Sequence, residues 1–294
     1  MSQMKYDRFA PVGVFDSGIG GLSVLQHIRH ILPHESLIYF ADSAFAPYGE
    51  KSEADITERC IAVTEFLLQQ HIKALVVACN TATAAAINAL RERYPDLIII
   101  GIEPGLKPAA ALSQNKIVGV LATQFTLQSE KFYNLRTHIS AETAVKFEEQ
   151  ACVGLVNQIE KGELRSVATL KLVRNYVTPL LQAGVDTIVL GCTHYPFVSN
   201  LIEQVIREFK SENQTHTTNI QLVDTGLAVA AQLQRLLEQA GLSLLAIQRP
   251  PSISAYTTSS KSSLRNAFSH LLKIPDSEVQ ISAIADVTPA ASHC

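Results

Sequence analysis

Short apolar runs rich in β-branched residues alternate along the chain with longer stretches in which apolar residues recur every three or four positions. Continuous apolar runs are typical of parallel strands buried on both faces, and the longer pattern is typical of helices. The sequence therefore predicts an α/β fold of mostly parallel sheets flanked by helices. The predicted strands are 12–15, 37–41, 74–78, 97–102, 116–121, 143–147, 186–190, 220–223 and 253–257.

The stretch 53–70 shows the helical pattern clearly, because its apolar side chains fall on one face. Ser52, followed three residues later by Asp55, indicates a capping box at the start of this helix. We therefore expect a helix that begins after Ser52 and packs on a core through this face. The apolar face consists of Ile56, Cys60, Val63 and Leu67.

Two segments of the chain have nearly the same pattern. ALVVACNTAT, 74–83, and TIVLGCTHYP, 187–196, each place a cysteine directly after an apolar strand and before residues suited to opening a helix. The triplet VGV also occurs twice, at 12–14 and 118–120. The similar spacing of both features predicts two pseudo-symmetric α/β domains with matching topology.

The first domain is predicted to span 1–106 plus 219–294 and to carry Cys79, and the second to span 107–218 and to carry Cys192. The predicted crossings between them are EPGLKP, 103–108, and SENQTHTTN, 211–219. Ligands of open α/β sheets bind at the carboxyl ends of strands, where both cysteines lie. We therefore expect the two thiols to meet across an active site in the interdomain cleft.

The composition excludes several classes of protein. Of 294 residues, 47% are hydrophobic and 17% charged, which is an ordinary globular balance. A net charge of −3 gives no support for binding nucleic acid or an anionic membrane. The chain lacks the long apolar run of a membrane span and the apolar segment of a signal peptide. Five widely spaced cysteines, an odd number, predict free thiols in a cytoplasmic protein.

The position of the two cysteines suggests proton-transfer chemistry. A thiol before a helix N-terminus is biased toward the thiolate by the partial positive charge of the first turn. Inverting a carbon centre requires a base on one face of a planar intermediate and an acid on the other. Two like groups of similar pKa suit that exchange, so Cys79 and Cys192 are the candidate pair. Asp16 and His194 are candidates to assist proton movement.

Each candidate also has a simpler interpretation. Asp16 is in a position to cap the following helix, and Tyr48-Gly49 to form only a turn. Glu160, next to Lys161, is as consistent with a solvated charge as with catalysis. The spacing around His194 lacks the ligands of a structural zinc site, so we expect no metal. Three further cysteines are assigned to packing or to the tail: Cys60, Cys152 and Cys294.

Six ordered segments covering nearly the whole chain resemble the glutamate racemase family. This resemblance implies racemisation of L-glutamate to D-glutamate for peptidoglycan, without a cofactor. It implies that Cys79 and Cys192 are the catalytic thiols, that Asp16 assists the first, and that Glu160 and His194 assist the second. The matching segments are VFDSGIGGLSVL (14–25), YFADSAFAPYGEKS (39–52), VVACNTATA (76–84), GIEPG (101–105), VGVLAT (118–123) and LGCTHYPF (190–197).

The resemblance also implies the substrate contacts and the partners. Where relatives often have Gly-Thr after the LAT segment, this chain has Phe125-Thr126, so that turn's role is not transferred. The implied partners are glutamate, a second copy of the chain in a homodimer and, in some relatives, an activating cell-wall precursor. The implied substrate contacts are Asp16, Ser17, Tyr48, Gly49, Asn80, Thr81, Thr123, Thr193 and His194.

Two other functions remain open on the sequence. An aspartate or hydantoin racemase of related fold would share these motifs. A non-catalytic small-molecule binding protein would need the cleft and its polar loops but not the paired thiols. A thiol-redox enzyme is disfavoured because the chain has no C-x-x-C sequence.

Overall fold

The computed structural model describes residues 6–212, 219–244, 251–285 and 287. Throughout these residues, parallel strands alternate with helices, which confirms the predicted α/β class. The tail residue Cys294 and most of the predicted crossing at 211–219 lie outside the described residues. Among the described helices, none combines the length and apolar character needed to cross a bilayer.

The elements follow one another in the order expected for α/β units. The strands are β1 (Val12–Asp16), β2 (Leu37–Ala41), β3 (Ala74–Val77), β4 (Ile98–Gly101), β5 (Ile117–Ala122), β6 (Lys146–Ala151), β7 (Thr187–Gly191), β8 (Gln221–Val223), β9 (Ile253–Thr257) and β10 (Val279–Ala283). The helices are α1 (Leu22–Ile31), α2 (Glu53–Gln69), α3 (Asn80–Arg93), α4 (Leu106–Leu112), α5 (Gln124–Gln128), α6 (Glu130–Thr143), α7 (Leu155–Glu160), α8 (Val167–Gln182), α9 (Ser199–Glu212), α10 (Gly226–Gln239) and α11 (Lys261–Leu272). Short 3-10 helices cover Tyr48–Glu50, Tyr195–Val198 and Asp276–Glu278.

The chain divides into two compact units, of which the first is built from both ends of the chain, up to Ile102 and from Gly226 onward. Its sheet has the order β10-β9-β2-β1-β3-β4, and every pairing is parallel. The strands β1, β2 and β3 are buried along their whole length, as their continuous apolar sequences predict. Helix α1 packs against α10 and α11, and α2 packs against α3.

The second unit is continuous, from Glu103 to Thr225. Its parallel sheet has the order β6-β5-β7-β8. Apolar side chains of α4, α6 and the central strands form its core, with Val118, Val120 and Phe132 among the most buried members. This strand order repeats the order β2-β1-β3-β4 of the first unit, with β5 in the place of β1 and β7 in the place of β3. The matching topology predicted from the repeated motifs is therefore confirmed.

The boundaries between the units differ from the predicted ones. The chain leaves the first unit at 102/103 and returns at 225/226, whereas the sequence places these points at 106/107 and 218/219. The second difference changes the assignment of a strand. β8 pairs in register with β7, so residues 219–225 belong with the second unit and do not extend the first sheet.

Two edge strands also depart from the prediction. The strand predicted at 143–147 lies at Lys146–Ala151, because α6 continues to Thr143 and ends on Ala144 in the left-handed conformation. Strand β10 was not predicted, since its sequence VQISA alternates apolar and polar residues over only five positions. Both strands lie at sheet edges and lack a continuous apolar run, because β6 has no buried residue and β10 buries only Val279 and Ile281.

The start of α2 follows from its capping residue, as the sequence predicts. The hydroxyl oxygen of Ser52 accepts a hydrogen bond from the Asp55 amide at 3.1 Å and donates to the Asp55 carboxylate at 2.6 Å. The four apolar residues predicted to face the core are all fully buried. In a standard capping box the N3 side chain accepts from the backbone amide of the cap residue. Here the Asp55 carboxylate accepts from the Ser52 hydroxyl instead.

Asp186 lies directly before β7 and anchors the turn that precedes the neighbouring strand β5. Its carboxylate accepts hydrogen bonds from the amides of Gln114 and Asn115 at 2.7 and 2.8 Å, and from the Thr187 hydroxyl at 3.0 Å. Burial alone would raise the pKa of Asp186, but the hydrogen bonds that the anion accepts outweigh burial and lower it. The ionised carboxylate therefore stabilises the folded second unit.

We expect Asp186→Asn to reduce stability at neutral pH by about 1–3 kcal/mol, since it removes charged hydrogen bonds. The folded pKa lies below the unfolded value of about 3.9, so the stabilisation is complete above that value and is lost as pH falls through the folded pKa. Urea midpoints of both proteins at pH 7 and at about pH 2, below the unfolded pKa, measure the difference. If the difference between the two urea midpoints did not become smaller at low pH, the ionised Asp186 carboxylate would not be the stabilising group.

Candidate functional site

The first unit holds Cys79 at the carboxyl edge of its sheet. The cysteine follows β3 and is the N-cap of α3, with its sulfur accepting a hydrogen bond from the Ala82 amide at 3.5 Å. The thiol also lies 3.7 Å from the Ser17 hydroxyl, to which it donates. Only 5% of the residue is exposed. The first turn of α3 therefore offers a backbone donor and a favourable dipole to a thiolate at this position.

Asp16 ends β1, the strand beside β3, and is fully buried. One of its carboxylate oxygens accepts a hydrogen bond from the Gly18 amide at 2.8 Å. The N-cap of α1 is Gly21, so Asp16 closes a turn and does not cap the helix. The Tyr39 hydroxyl, on β2, donates to the Gly18 carbonyl at 2.7 Å and so fixes the same turn.

Asn80 and Thr81 open α3 and are both buried. The Asn80 amide nitrogen reaches the Ile102 carbonyl at 3.5 Å, whereas its buried side-chain oxygen has no hydrogen-bond partner among the described residues. A buried acceptor without a donor is costly, so Asn80 is a candidate to bind a donor group of a ligand. Ser17 is also buried beside the thiol.

Tyr48 and Gly49 lie in a 3-10 helix, and Tyr48 is buried. The Tyr48 hydroxyl donates to the Asp42 carboxylate at 2.7 Å. Burial, together with the neighbouring Cys60 thiol and Asp42, raises the pKa of Tyr48 well above its usual value, so the phenol stays protonated. The Tyr48 hydroxyl is bonded to Asp42 and is not available to a ligand. The backbone groups of Tyr48 and Gly49 are therefore the ones that could bind a ligand.

In the second unit, Cys192 directly follows β7 and has a different set of partners. Its sulfur lies 3.7 Å from Nδ1 of His194, and Nε2 of His194 lies 2.7 Å from a Glu160 carboxylate oxygen. A carboxylate only accepts hydrogen bonds, so Nε2 carries a proton, and in the neutral form of His194 Nδ1 presents its lone pair to the thiol. This chain of contacts can take a proton from Cys192 and return it.

The backbone after Cys192 corrects one prediction. Helical structure does not begin immediately after this cysteine, as it does after Cys79. The chain forms a turn, closed by the Tyr195 amide on the Cys192 carbonyl at 3.1 Å, then the 3-10 helix Tyr195–Val198, and α9 starts at Ser199. The thiol of the second unit therefore depends on a histidine–carboxylate pair where the first has a helix N-terminus.

Two other predicted contacts lie on the same side of the second sheet. Thr123 follows β5 and is the N-cap of α5, accepting from the Thr126 amide at 3.2 Å. Thr193 is buried between Cys192 and His194. The departure from the family pattern, Phe125-Thr126, falls inside α5, where Thr126 is buried and Phe125 is partly exposed.

The other described cysteines are unsuited to acid–base work. Burial, followed by the nearby Cys79 thiol and Asp42, raises the pKa of Cys60 well above its usual value. Burial likewise raises the pKa of Cys152. Both therefore keep their protons at neutral pH, in agreement with the packing roles expected from the sequence. None of the four described cysteines forms a disulfide.

Each unit thus carries a buried thiol at the carboxyl edge of a parallel sheet, with groups beside it that can hold or move a proton. This fold and these groups define the class as a two-unit α/β enzyme of acid–base chemistry. A family model described as Asp/Glu/Hydantoin racemase matches residues 15–233, and the chain belongs to that family.

Individual relatives narrow the family. A glutamate racemase from Ectopseudomonas mendocina is 55% identical over 230 residues, which cover 78% of this chain and 83% of the relative. A solved glutamate racemase from Bacillus anthracis aligns with a TM-score of 0.81 and 29% identity, covering 94% of this chain and 98% of its own. The Escherichia coli glutamate racemase, solved with L-glutamate and the activator UDP-MurNAc-ala, aligns at 0.77 and 32% identity, covering 93% and 98%.

Proposed function

We propose that this chain interconverts L- and D-glutamate and supplies D-glutamate for peptidoglycan, without a cofactor. The observation that carries the proposal is the pair of buried thiols at corresponding strand ends, each with its own proton-handling partners. The relatives named glutamate racemase, at 50–55% identity over about four fifths of the chain, support the substrate.

In the proposed reaction, one thiolate removes the Cα proton of glutamate and becomes a thiol, leaving a planar intermediate whose electron pair is delocalised into the carboxylate. The other thiol donates its proton to the opposite face of Cα and becomes a thiolate. The product is the other enantiomer, and the two cysteines have exchanged protonation states. The reverse direction uses Cys79 and Cys192 in exchanged roles.

The partners of the two thiols differ, and so do their proposed roles. Near Cys79, the Ala82 amide stabilises the thiolate, and Asp16 assists proton transfer from the neighbouring strand end. Near Cys192, His194 accepts the thiol proton while Glu160 stabilises the resulting imidazolium.

The proposed substrate contacts are polar groups of each unit. The proposed contacts include the unpaired Asn80 side-chain oxygen, which fits the ammonium group of an amino acid. The backbone of Tyr48 and Gly49 and the hydroxyl groups of the neighbouring residues would bind the carboxylates. These hydroxyl groups are those of Ser17, Thr81, Thr123 and Thr193.

The alternatives are less well supported. An aspartate or hydantoin racemase would share the family, but the relatives named above are glutamate racemases. A non-catalytic binding protein has no use for a thiol hydrogen-bonded to a histidine–carboxylate pair.

The test is racemisation by the purified chain without pyridoxal phosphate. We expect L-glutamate to be converted to an equal mixture of both enantiomers, and L-aspartate to be converted much more slowly, as measured by chiral chromatography. In D₂O, the newly formed enantiomer should carry deuterium at Cα. Absence of turnover of both amino acids would refute the proposed function, and faster turnover of aspartate would change the substrate.

Gly21 offers a test of Asp16 through sterics alone. A methyl group at Gly21 would lie 2.7 Å from Cβ of Asp16 and 3.0 Å from the Tyr39 hydroxyl. The backbone of Gly21 has a φ of −62°, which any residue adopts, so Gly21→Ala acts through these contacts and a third, at 3.1 Å from Cβ of Ala78. Because Asp16 must shift, we expect kcat/KM for glutamate to fall about tenfold or more. An unchanged kcat/KM would show that the position of Asp16 does not matter.

The partners and location complete the proposal. We expect a homodimer, which analytical ultracentrifugation measures. We also expect activation by a cell-wall precursor, as the activator complex of the E. coli relative suggests, and a rate unchanged by UDP-MurNAc-L-alanine would remove that part. A cytoplasmic location is consistent with the four free described cysteines.

A further inference from the structure

A buried aspartate, Asp42, is hydrogen-bonded to four other parts of the first unit. Arg59 binds it through two bonds, from Nε to Oδ2 and from Nη2 to Oδ1, both 2.6 Å long. The hydroxyl groups of Tyr48 and Thr258 donate to it at 2.7 and 3.0 Å. The Asp42 amide donates to the carbonyl of Asp16 at 3.0 Å. Asp42 is therefore connected both to the end of β1 and to the 3-10 helix that contains Tyr48.

Arg59 reaches further than this carboxylate. Its Nη1 donates to the Val287 carbonyl at 2.7 Å, so one guanidinium ties α2 to the C-terminal segment as well. The guanidinium also lies over the Phe45 ring, 5.2 Å from the centroid, and that ring contacts Tyr48 edge-on at 5.6 Å. Arg59 therefore holds the turn from Asp42 to Tyr48 in two ways: through Asp42, which binds the Tyr48 hydroxyl, and through the Phe45 ring, which contacts the Tyr48 ring.

We infer that Arg59 and Asp42 are positioning residues for glutamate binding, acting through the Tyr48-Gly49 backbone. This inference rests on the proposed function, in which Tyr48 and Gly49 are substrate contacts. The Tyr48 hydroxyl is used by Asp42, so it orients the turn and is not available to the substrate. Moving the carboxylate moves the turn's amides and weakens the binding of glutamate.

The fork geometry of Arg59 is essential to this role. Two parallel bonds fix the plane of the carboxylate and so fix where its remaining lone pairs meet Tyr48 and Thr258. A lysine supplies the same charge from a single point and leaves that plane undetermined. Arg59→Lys is therefore the informative variant, because it keeps the charge of the pair but removes the two-bond fork and the bond to Val287.

We expect Arg59→Lys to raise KM for glutamate about tenfold while kcat changes by less than about threefold, because the substrate contacts are misplaced and the thiols are not. Arg59→Ala should show a larger rise in KM, and millimolar guanidine hydrochloride should restore part of it by refilling the site. Tyr48→Phe, which leaves the ion pair intact, should raise KM by a smaller factor.

Lys73→Met is the matched control for general destabilisation. Lys73 forms a fully buried ion pair with Glu35, 2.6 Å long, next to the amino end of β3, at the opposite edge of the same sheet. The control should lower thermal stability and leave KM unchanged. A wild-type KM in both Arg59→Lys and Tyr48→Phe, or an equal rise in Lys73→Met, would refute positioning while the proposed function stands. Absence of turnover in the wild type would instead remove the proposed function, and this inference with it.

Discussion

Replacing either Cys79 or Cys192 by serine is expected to lower kcat for glutamate racemisation by about a thousandfold or more. Each thiol supplies one of two proton transfers at Cα, and a positioned acid or base contributes about 10²–10⁴ in rate. A serine hydroxyl occupies nearly the same space but ionises far less readily than a thiol. Binding of glutamate should be largely retained, which isothermal titration calorimetry of each variant measures.

The remaining cysteines provide matched controls. Cys60→Ala and Cys152→Ala remove thiols of similar burial that keep their protons, so both variants should retain most of their activity. A consistency check follows from thermodynamics. The two enantiomers have equal free energies, so each variant must lose kcat/KM equally in both directions. Full turnover by either serine variant would refute the two-thiol mechanism.

The second large effect is expected at His194. His194→Asn removes the group that exchanges a proton with Cys192, and we expect kcat to fall about 10²–10³-fold. Glu160→Gln should cost less, about tenfold, because the amide still accepts a hydrogen bond from Nε2 but no longer stabilises imidazolium. The measurement is kcat as a function of pH, since losing a titrating group should also change the shape of that profile.

A histidine–glutamate pair elsewhere in the second unit serves as the control. His138 lies 3.3 Å from Glu142 on the surface of α6, so His138→Asn removes a similar pair without touching the thiol. This variant should retain the wild-type kcat and pH profile. If His194→Asn behaves in the same way, His194 has only a structural role and Cys192 needs another proton acceptor.

Most central strands could be predicted from sequence because they are continuous apolar runs, whereas β9, with the sequence ISAYT, alternates buried and half-buried residues. Strands β1, β2 and β9 lie at the predicted positions, and the repeated VGV and cysteine motifs reveal the shared strand order. The edge strands could not be predicted as well, since KFEEQA carries polar residues on both faces and VQISA carries them on one. β8 belongs to the second unit because it pairs with β7. Its three-residue sequence does not indicate which strand it pairs with, so its unit could not be predicted.

The local part of each half-site could also be predicted, because strand-end residues stay together along the chain. Cys79 with Asn80, and Cys192 with His194, are examples. The contact of Glu160 with His194 was expected only from the family resemblance, and it spans 34 positions. The network of Arg59 was missed, since its partners lie 17 and 228 positions away and an arginine on a helix is usually a solvated charge.

The interrupted first unit has a consequence for how the protein acquires its structure during synthesis. β9 pairs with β2, yet more than two hundred residues separate them, and the whole second unit is encoded between them. The ribosome therefore completes the second unit while β2 still exposes an unpaired, strongly apolar edge. We expect the second unit to fold first. Until β9 emerges, the nascent chain carries an edge open to pairing with other chains.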